Sequence, residues 1–463
     1  MFKSAFVILS GNAFSAVMLL ARNLLVARLI SVENYGIAAT FSLALAVIEM
    51  TSTFGLQQQL VQDKRGNDPA FQAALQGFQV LRGILNAAIL FLLAGPFARF
   101  MGVPEVTWAH QLITVILVMN GFVHFDMYRL GRRMQYVPAA MAAILAPLAA
   151  LAAIWPLHKV YGDYQVMLWS LIIQSAGTAL VSHLVAERPY QLRFDRAVMR
   201  QSLRFGWPLL IDGLLLFAIF NGEKLIVGNA YGMEPLALFT MAVTLTLTPA
   251  LVLQRSASSF FLPQLSVGSD RSRFEFLSAV TLQSHLMCGA LLVATVVVAG
   301  APFVHLVLGA KYQPILPLLS LLAVMQALKL MKGGAATVSL AKGKTSNGMF
   351  ANVVRVATLP LAFAVALAGG DIVTVIWIGI IGEFAGFAVA VVLLQRQVHS
   401  KTGPTLPGLV LMLLLLAITA LGAAGHLPDF WPWAMLVLLL AMPVTMGELR
   451  SYVMARVVTH HGD

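Results

Sequence analysis

Long apolar runs, separated by short segments that contain charged residues, glycine or proline, recur along the whole chain. A run of about 20 apolar residues is long enough for a helix to cross the hydrocarbon core of a bilayer. Counting such runs predicts fourteen membrane-spanning helices. Their predicted limits are 5–29, 37–61, 75–98, 107–125, 137–157, 164–186, 205–228, 236–262, 278–304, 315–333, 346–368, 372–394, 406–425 and 431–449. The pattern therefore indicates an all-α integral membrane protein.

Composition supports a membrane protein and argues against an ordinary cytosolic enzyme. Of 463 residues, 59% are hydrophobic and 11% charged, whereas about 25% are charged in a typical soluble domain. The single cysteine, Cys288, excludes an intrachain disulfide and a multi-cysteine metal site. The sequence has no phosphate-binding glycine loop, no nucleophile-elbow motif and no cluster of histidine or cysteine ligands. We therefore predict no catalytic residue, no metal site and no bound cofactor.

Charge is distributed unevenly between the two sides of the predicted helices. The formal net charge is +11, but the loops on one side hold only Arg28, Arg99, Lys159 and Lys311. Because cytoplasmic loops are enriched in Lys and Arg, the more basic side is predicted to be cytoplasmic, with both termini on it. The excess charge thus reports orientation in the cytoplasmic membrane and does not indicate a nucleic-acid partner.

Two segments of the chain resemble each other at an offset of about 200 residues. Leu24, Val26 and Glu33 align with Leu225, Val227 and Glu234, and the run 94–102 resembles 300–309. We predict two six-helix lobes, 1–190 and 191–396, followed by two further helices and a cytoplasmic tail in 397–463. Since six is even, both lobes insert in the same direction, as in many transporters, and the substrate path is expected between them.

The longest connection, residues 187–204, is predicted to be a basic linker between the lobes on the cytoplasmic surface. Arg193, Arg196 and Arg200 could contact anionic lipid headgroups there.

Several charged residues fall inside the predicted spans. A charge at the centre of a membrane helix costs about 2.5–3.5 kcal/mol on insertion scales, so such residues face protein or water and indicate function. We expect Lys329 and Lys332 to extend to the cytoplasmic headgroups, because they lie in the last turns of their span. The cations are Arg22, Arg82, Lys224, Arg255, Lys329, Lys332 and Arg355, and the acids are Glu49, Asp212, Glu223 and Glu383.

Arg22 is the strongest candidate for substrate binding. It lies eight residues before Ile30, which is about 12 Å along a helix, too deep to reach the headgroups easily. Lys224 has the equivalent depth in the second lobe, and Arg255 lies on the next span. Together they could form a cationic wall that binds phosphate oxygens. The alternative is a pair of structural ion pairs, Arg22 with Glu49 and Lys224 with Glu223.

The membrane acids Glu49, Asp212, Glu223 and Glu383 are candidates either for coupling transport to Na⁺ or H⁺ or for structural pairing. The sequence leaves both roles open.

Four short segments of the chain resemble a known family. The run Ala21 to Gly36, followed by Phe54-Gly55-Leu56 and Leu60-Val61-Gln62, is similar to the polysaccharide transporter family of lipid-linked oligosaccharide flippases, and Gly309-Ala310-Lys311-Tyr312 fits its second lobe. That family belongs to the multidrug, oligosaccharidyl-lipid and polysaccharide exporter superfamily. The resemblance covers essentially the whole chain.

The resemblance implies a cargo and a mechanism. The cargo would be an undecaprenyl-diphosphate-linked oligosaccharide repeat unit, moved from the inner to the outer leaflet by alternating access for assembly of O-antigen, capsule or exopolysaccharide. A polysaccharide polymerase and export machinery would be partners. Arg22 and Arg28 match two arginines of the lipid II flippases of this superfamily, of which the first is implicated in contacting the diphosphate. Glu223 stands where pseudo-symmetry would place another arginine, so Lys224 would take that role.

Two other functions compete with this interpretation. A multidrug or cation antiporter of the same superfamily would favour acids in its cavity, whereas here cations outnumber acids inside the spans. A membrane-embedded polysaccharide polymerase or glycosyltransferase would be expected to carry a large extracytoplasmic loop with catalytic residues, but the outward loops are short.

Overall fold

Helices are the regular secondary structure of the part of the chain that the structure describes. The computed structural model describes the backbone of residues 2–52, 54–267 and 270–460, and the side chains of residues 14–52, 54–267 and 270–455. No strand occurs among these residues. The α-helices are α1 Phe2–Leu29, α2 Val32–Thr51, α3 Leu56–Gln62, α4 Pro69–Phe100, α5 Thr107–Leu112, α6 Thr114–Gly121, α7 Asp126–Arg132, α8 Val137–Val160, α9 Gln165–Leu184, α10 Arg196–Tyr231, α11 Met233–Ser266, α12 Arg271–Phe303, α13 Leu316–Ala341, α14 Ser346–Val356, α15 Leu359–Leu367, α16 Ile372–Leu393, α17 Leu406–Ala423, α18 Trp431–Thr445 and α19 Gly447–His460.

Many of these helices are long and apolar enough to cross a bilayer. Within the described residues there are 11 such helices, or up to 13 if each of two bent helix pairs forms one span. The all-α membrane architecture predicted from the sequence is therefore confirmed. The first predicted span, 5–29, lies partly outside the described side chains, and the total of fourteen stays a prediction.

Contacts divide the chain into two compact units, Met1–Ala237 and Leu238–Asp463. In the first unit, α1 packs against α8, α4 against α6, and α10 against α2. In the second unit, α13 packs against α12 and α16, and α16 also packs against α14. The lobe limits at residues 190 and 396 describe an internal repeat, which a division by contacts does not test, so they stay a prediction.

The second predicted span, 37–61, is not one continuous helix. α2 ends at Thr51 and α3 begins only at Leu56. The Ser52 hydroxyl donates to the carbonyl of Ile48 at 2.6 Å, and Gly55 adopts a left-handed conformation with φ +63° that glycine tolerates best. Non-helical backbone at membrane depth occurs where it is buried in protein or lines a water-filled cavity. The backbone between α2 and α3 is therefore expected to lie in one of these two surroundings.

The predicted linker 187–204 is shorter than expected. α10 begins at Arg196, where the Asp195 side chain accepts hydrogen bonds from the backbone N–H groups of Ala197 and Val198 at 2.9 and 3.2 Å. This N-cap extends the helix well before the apolar run. The non-helical connection is therefore confined to residues 185–195.

Candidate functional site

Arg22 lies on α1 of the first unit, and its side chain is buried with 7% exposure. Its guanidinium donates to the side-chain oxygens of Gln174 on α9 and of Asn23, the latter at 3.5 Å. Within the described part of the chain its hydrogen-bond partners are thus neutral amides, and the predicted alternative pairing with Glu49 is replaced by Gln174. Burying a cation on amide partners leaves its charge without compensation, which is the arrangement that an anionic ligand can complete.

The other predicted cations occupy varied surroundings. Arg28, in the last turn of α1, is exposed. Lys224 on α10 is half-buried, and its Nζ lies 3.5 Å from the Asn221 side-chain oxygen. Arg255 is exposed on α11 in the second unit. A common cationic wall formed by Arg22, Lys224 and Arg255 stays a prediction.

Two of the four predicted acids lie on α10. Asp212 is exposed and Glu223 is buried with 6% exposure. Their role in coupling stays a prediction.

Glu49 lines a polar cavity within the first unit, hereafter the first-unit cavity, with a volume of about 360 Å³. The side-chain amide of Asn120 donates to the Glu49 carboxylate at 2.8 Å. Arg82 donates to the backbone carbonyl of Ser52 at 2.9 Å, and the Asn86 amide donates to the Ser52 hydroxyl at 2.8 Å. The interruption between α2 and α3 therefore forms part of the wall of this cavity.

Sequence reasoning identified Glu49 and Arg82 but missed a row of amide side chains on α4, of which Gln79 and Asn86 line the same cavity. Gln72, Gln76, Gln79 and Asn86 are all buried on α4. Their spacing of four, three and seven residues places them on one face of the helix. A polar stripe of this kind inside an apolar run is visible in the sequence and indicates a helix face turned toward a wet or hydrogen-bonded interior.

The second unit contains a buried cluster of charges around Glu383, which is fully buried on α16. One carboxylate oxygen accepts from Lys332 of α13 at 2.8 Å, and the other accepts from Arg355 of α14 at 3.0 Å. Lys329 lies 3.8 Å from the same carboxylate. The expectation that Lys329 and Lys332 extend to the headgroups is therefore wrong, because a buried acid on another helix holds both ammonium groups inside the protein.

Small residues on α16 allow the neighbouring helix to approach this cluster closely. A Cβ atom at Gly386 would lie 2.8 Å from the carbonyl oxygen of Ala351 on α14, and one at Gly382 would lie 2.5 Å from the Thr358 hydroxyl. Arg355 also donates to that hydroxyl at 3.0 Å. Glycine at these two positions therefore brings the arginine of α14 within reach of Glu383.

A second buried carboxylate, Asp126 of the first unit, fixes the start of the connection between α9 and α10. It pairs with Arg129 on its own helix and accepts from the backbone N–H groups of Glu187 and Arg188 at 2.8 and 3.3 Å. His124 contacts the carbonyl oxygen of Arg188 at 3.0 Å. Asp126 and Arg129 are 0% and 1% exposed, so this network is a structural anchor.

Solved structures share this fold. A lipid II flippase MurJ in an inward closed conformation superposes with a TM-score of 0.72 at 14% identity, covering 99% of this chain and 100% of that one. A multidrug resistance MATE family transporter of the MOP superfamily, in an inward-facing conformation, gives a TM-score of 0.67 at 15% identity, covering 85% and 98%. At these identities the similarity establishes the fold alone.

Relatives by sequence participate in the synthesis or transport of polysaccharides. The lipopolysaccharide biosynthesis protein WzxC of Escherichia coli (strain K12) is 22% identical over 71% of this chain and 67% of its own length. The succinoglycan biosynthesis transport protein ExoT of Rhizobium meliloti (strain 1021) is 21% identical over 66% of this chain and 62% of its own length. Residues 25–317, more than half of the chain, match the family model described as polysaccharide biosynthesis protein. The chain belongs to this family of membrane transport proteins of polysaccharide biosynthesis.

Proposed function

We propose that the protein translocates undecaprenyl-diphosphate-linked oligosaccharide repeat units from the inner to the outer leaflet of the cytoplasmic membrane by alternating access. The product would enter the assembly of O-antigen, capsule or exopolysaccharide. The observation that carries the proposal is Arg22, a buried cation on amide partners, in a chain whose fold matches a lipid II flippase. A buried guanidinium of this kind binds phosphate oxygens with charge-assisted hydrogen bonds.

The polar head group of such a lipid cannot cross the bilayer readily without a protein. Moving a diphosphate and several sugars through hydrocarbon leaves many polar groups without hydrogen bonds, each at a cost of several kcal/mol. A protein that binds the head group removes this cost, while the prenyl chain stays in the lipid. No covalent step is required, so the protein is proposed to be a transporter and not an enzyme.

Orientation and partners belong to the same proposal. The positive-inside rule supports cytoplasmic termini in the inner membrane. Arg193, Arg196 and Arg200 are exposed and are suited to contact anionic lipid headgroups. A polymerase and export machinery would use the flipped repeat units.

Coupling to Na⁺ or H⁺ would fall to Glu49, Asp212 or Glu223. Glu383 is less suited, because Lys332 and Arg355 already occupy its two oxygens.

A multidrug or cation antiporter is the nearest alternative. Such a protein needs an acid that a cationic drug can reach. Glu383 is fully buried among cations, and Glu49 shares its cavity with Arg82. Both surroundings disfavour an organic cation.

Leaflet-specific labelling tests the proposal. Right-side-out membrane vesicles are prepared from the host strain with and without the protein and treated with the membrane-impermeant oxidant periodate. We expect most lipid-linked saccharide to be oxidised when the protein is present and to be protected when it is absent. Equal oxidation in both vesicle types, together with protein-dependent efflux of ethidium, would establish the antiporter alternative.

A further inference from the structure

We propose that the first-unit cavity is a sugar-binding subsite, which takes an uncharged, hydroxyl-rich ring of the head group. This proposal rests on the proposed function, because it names the part of the cargo that this cavity recognises. The diphosphate is assigned to Arg22 and the sugar to the cavity lined by Glu49, Ser52, Arg82, Asn86 and Asn120.

The size and lining of the cavity fit a ligand of this class. Small-molecule sites in proteins have volumes of about 300–1,000 Å³, and the volume here is about 360 Å³. Most such sites are lined by apolar side chains, whereas ten of the 15 residues that line this one carry a carboxylate, guanidinium, amide or hydroxyl group. A polar cavity inside a membrane helix bundle is costly unless a polar partner or water fills it.

The hydrogen-bonding groups in the wall are held in fixed positions. Asn120, which donates to Glu49, accepts from the Ser175 hydroxyl at 2.9 Å, and its backbone carbonyl accepts from Gln79 at 3.1 Å. These contacts orient the Asn120 amide toward the carboxylate. A carboxylate accepts several hydrogen bonds, so Glu49 can receive ligand hydroxyl groups in addition to the Asn120 donor.

Asn86 and Arg82 provide a further part of the cavity wall. Both donate to Ser52, at the interruption between α2 and α3, and the Arg82 Nε atom is buried without a hydrogen-bond partner among the described residues. The side-chain oxygen of Asn86 can accept from a hydroxyl. The cavity therefore combines donors and acceptors, and a ligand with many hydroxyl groups can form hydrogen bonds with both kinds.

The charges in the cavity wall disfavour an anionic or a cationic ligand. Glu49 repels a second anion, so the diphosphate is not expected here, and Arg82 repels a divalent metal ion or an organic cation. The described residues contain no group of three or more His, Cys, Asp or Glu side chains that could hold a metal ion. A wall with one charge of each sign favours a neutral ligand.

The test compares two lipids that differ only in sugar. Purified protein in detergent is incubated with an equimolar mixture of bare undecaprenyl diphosphate and the undecaprenyl-diphosphate-linked saccharide extracted from host cells that lack the protein. Native mass spectrometry measures the ratio of the two bound lipids. We expect the unsubstituted protein to favour the saccharide-bearing lipid, and Glu49→Gln to lower that ratio about tenfold, as expected for loss of hydrogen bonds to a charged group.

Two variants sharpen the comparison. Asn86→Leu removes a cavity amide and should lower the ratio in the same direction if Glu49→Gln cannot be purified as a folded protein. Glu33→Gln is the matched control, because Glu33 is an exposed acid in the first turn of the same helix α2, and its ratio should equal that of the unsubstituted protein.

The outcomes separate this inference from the proposed function. If the unsubstituted protein favours the saccharide-bearing lipid and both cavity variants keep that ratio, the sugar binds elsewhere and the inference is overturned, while the proposed function stands. The inference is also overturned if the unsubstituted protein binds both lipids equally. If it binds neither lipid, the proposed function itself fails.

Discussion

The ammonium group of Lys332 lies 2.8 Å from the carboxylate of Glu383, and both residues are buried inside the second unit. The same carboxylate binds the guanidinium of Arg355, which is 1% exposed. One acid on α16 thus pairs with three cations on two other helices, Lys329 and Lys332 on α13 and Arg355 on α14. Each cation would be a buried charge without compensation if Glu383 were neutral.

Replacing Glu383 by Gln should therefore strongly destabilise the protein. Removing one partner of a buried ion pair costs about 3–5 kcal/mol, because the remaining charge stays in a medium of low dielectric constant. Thermal unfolding of the purified protein in detergent measures the change. Arg271→Ala breaks an exposed pair with Glu275 and serves as the control, with a loss of about 1 kcal/mol or less. Similar losses for both variants would show that the Glu383 cluster stabilises the protein no more than an exposed ion pair does.

Gly386→Val should separate α14 from α16. Even the first added carbon would lie 2.8 Å from the carbonyl oxygen of Ala351, so the helices must shift, at a cost of about 1–3 kcal/mol for overpacking. The matched control is Gly348→Ala on α14, where an added Cβ would meet only the Cβ of Ala336 at 3.9 Å. Thermal unfolding should show destabilisation for the first variant and no loss for the second. An unchanged Gly386→Val protein would contradict the close helix contact.

The helical architecture could be predicted because membrane helices satisfy their own backbone hydrogen bonds, so their apolar runs are visible in the sequence. The partners of Glu383 could not be predicted in this way. Lys332, Arg355 and Glu383 lie on three helices, and only their packing brings the charges together. Position along a span made Lys332 resemble a residue that reaches the headgroups, whereas tertiary contact decided otherwise.

The contacts around the first-unit cavity likewise could not be predicted from the sequence. The run 37–61 is apolar enough to predict one helix, but Gly55 and the hydroxyl groups before it interrupt that helix. The polar face of α4 was available as a sequence signal, since Gln72, Gln76 and Gln79 recur at helical spacing. What the sequence could not provide was the neighbours that this face meets, because Asn120 lies on α6 and Ser52 directly follows α2.

Asp126→Asn should release the start of the connection that leads into α10. The carboxylate holds Arg129 and the backbone N–H of Glu187, and Asn would remove both the charge and one acceptor oxygen. We expect a loss of several kcal/mol and faster amide hydrogen exchange at residues 187–191. Glu105→Gln, at an exposed position of the same unit, should change neither quantity. Unaltered exchange at 187–191 in the Asp126 variant would show that other contacts hold this segment.

Asp63 provides a pH-dependent contact on the loop after α3. A hydrogen bond from Arg65 lowers the pKa of the Asp63 carboxyl from 3.8 to about 2, and Arg65 also donates to Gln201 of α10 at 2.6 Å. Because the pKa is lower in the folded state, the contact stabilises the protein above pH 3.8 and is lost as the pH falls towards 2. Asp63→Asn should therefore unfold at a lower temperature than the unsubstituted protein at pH 6, and this difference should shrink as the pH falls through that range. A difference that does not vary with pH would contradict the contact.

Replacement of Arg22 tests the proposed contact with the diphosphate. Arg22→Ala should reduce the export of surface polysaccharide about tenfold or more at normal membrane levels, since a hydrogen bond to a charged group contributes about 1.5–3 kcal/mol. Arg22→Lys should keep part of the activity, because Lys retains the charge but loses the paired donors of the guanidinium. Arg22→Gln, which keeps hydrogen-bonding capacity toward Gln174 without charge, should behave like the Ala variant. Quantitative measurement of cell-surface polysaccharide distinguishes these results.

The order of export activity among the three variants distinguishes two roles for Arg22. If its role were only to hold α1 against Gln174 of α9, Gln would support export better than Lys, because the partner is a neutral amide. If its role is to bind an anionic head group, Lys would support export better than Gln, because charge and not amide geometry is required. Arg99→Ala, an exposed cation in the last turn of α4, controls for a general effect of removing positive charge and should leave export unchanged. An activity order with Gln above Lys would assign Arg22 to packing and remove it from the substrate site.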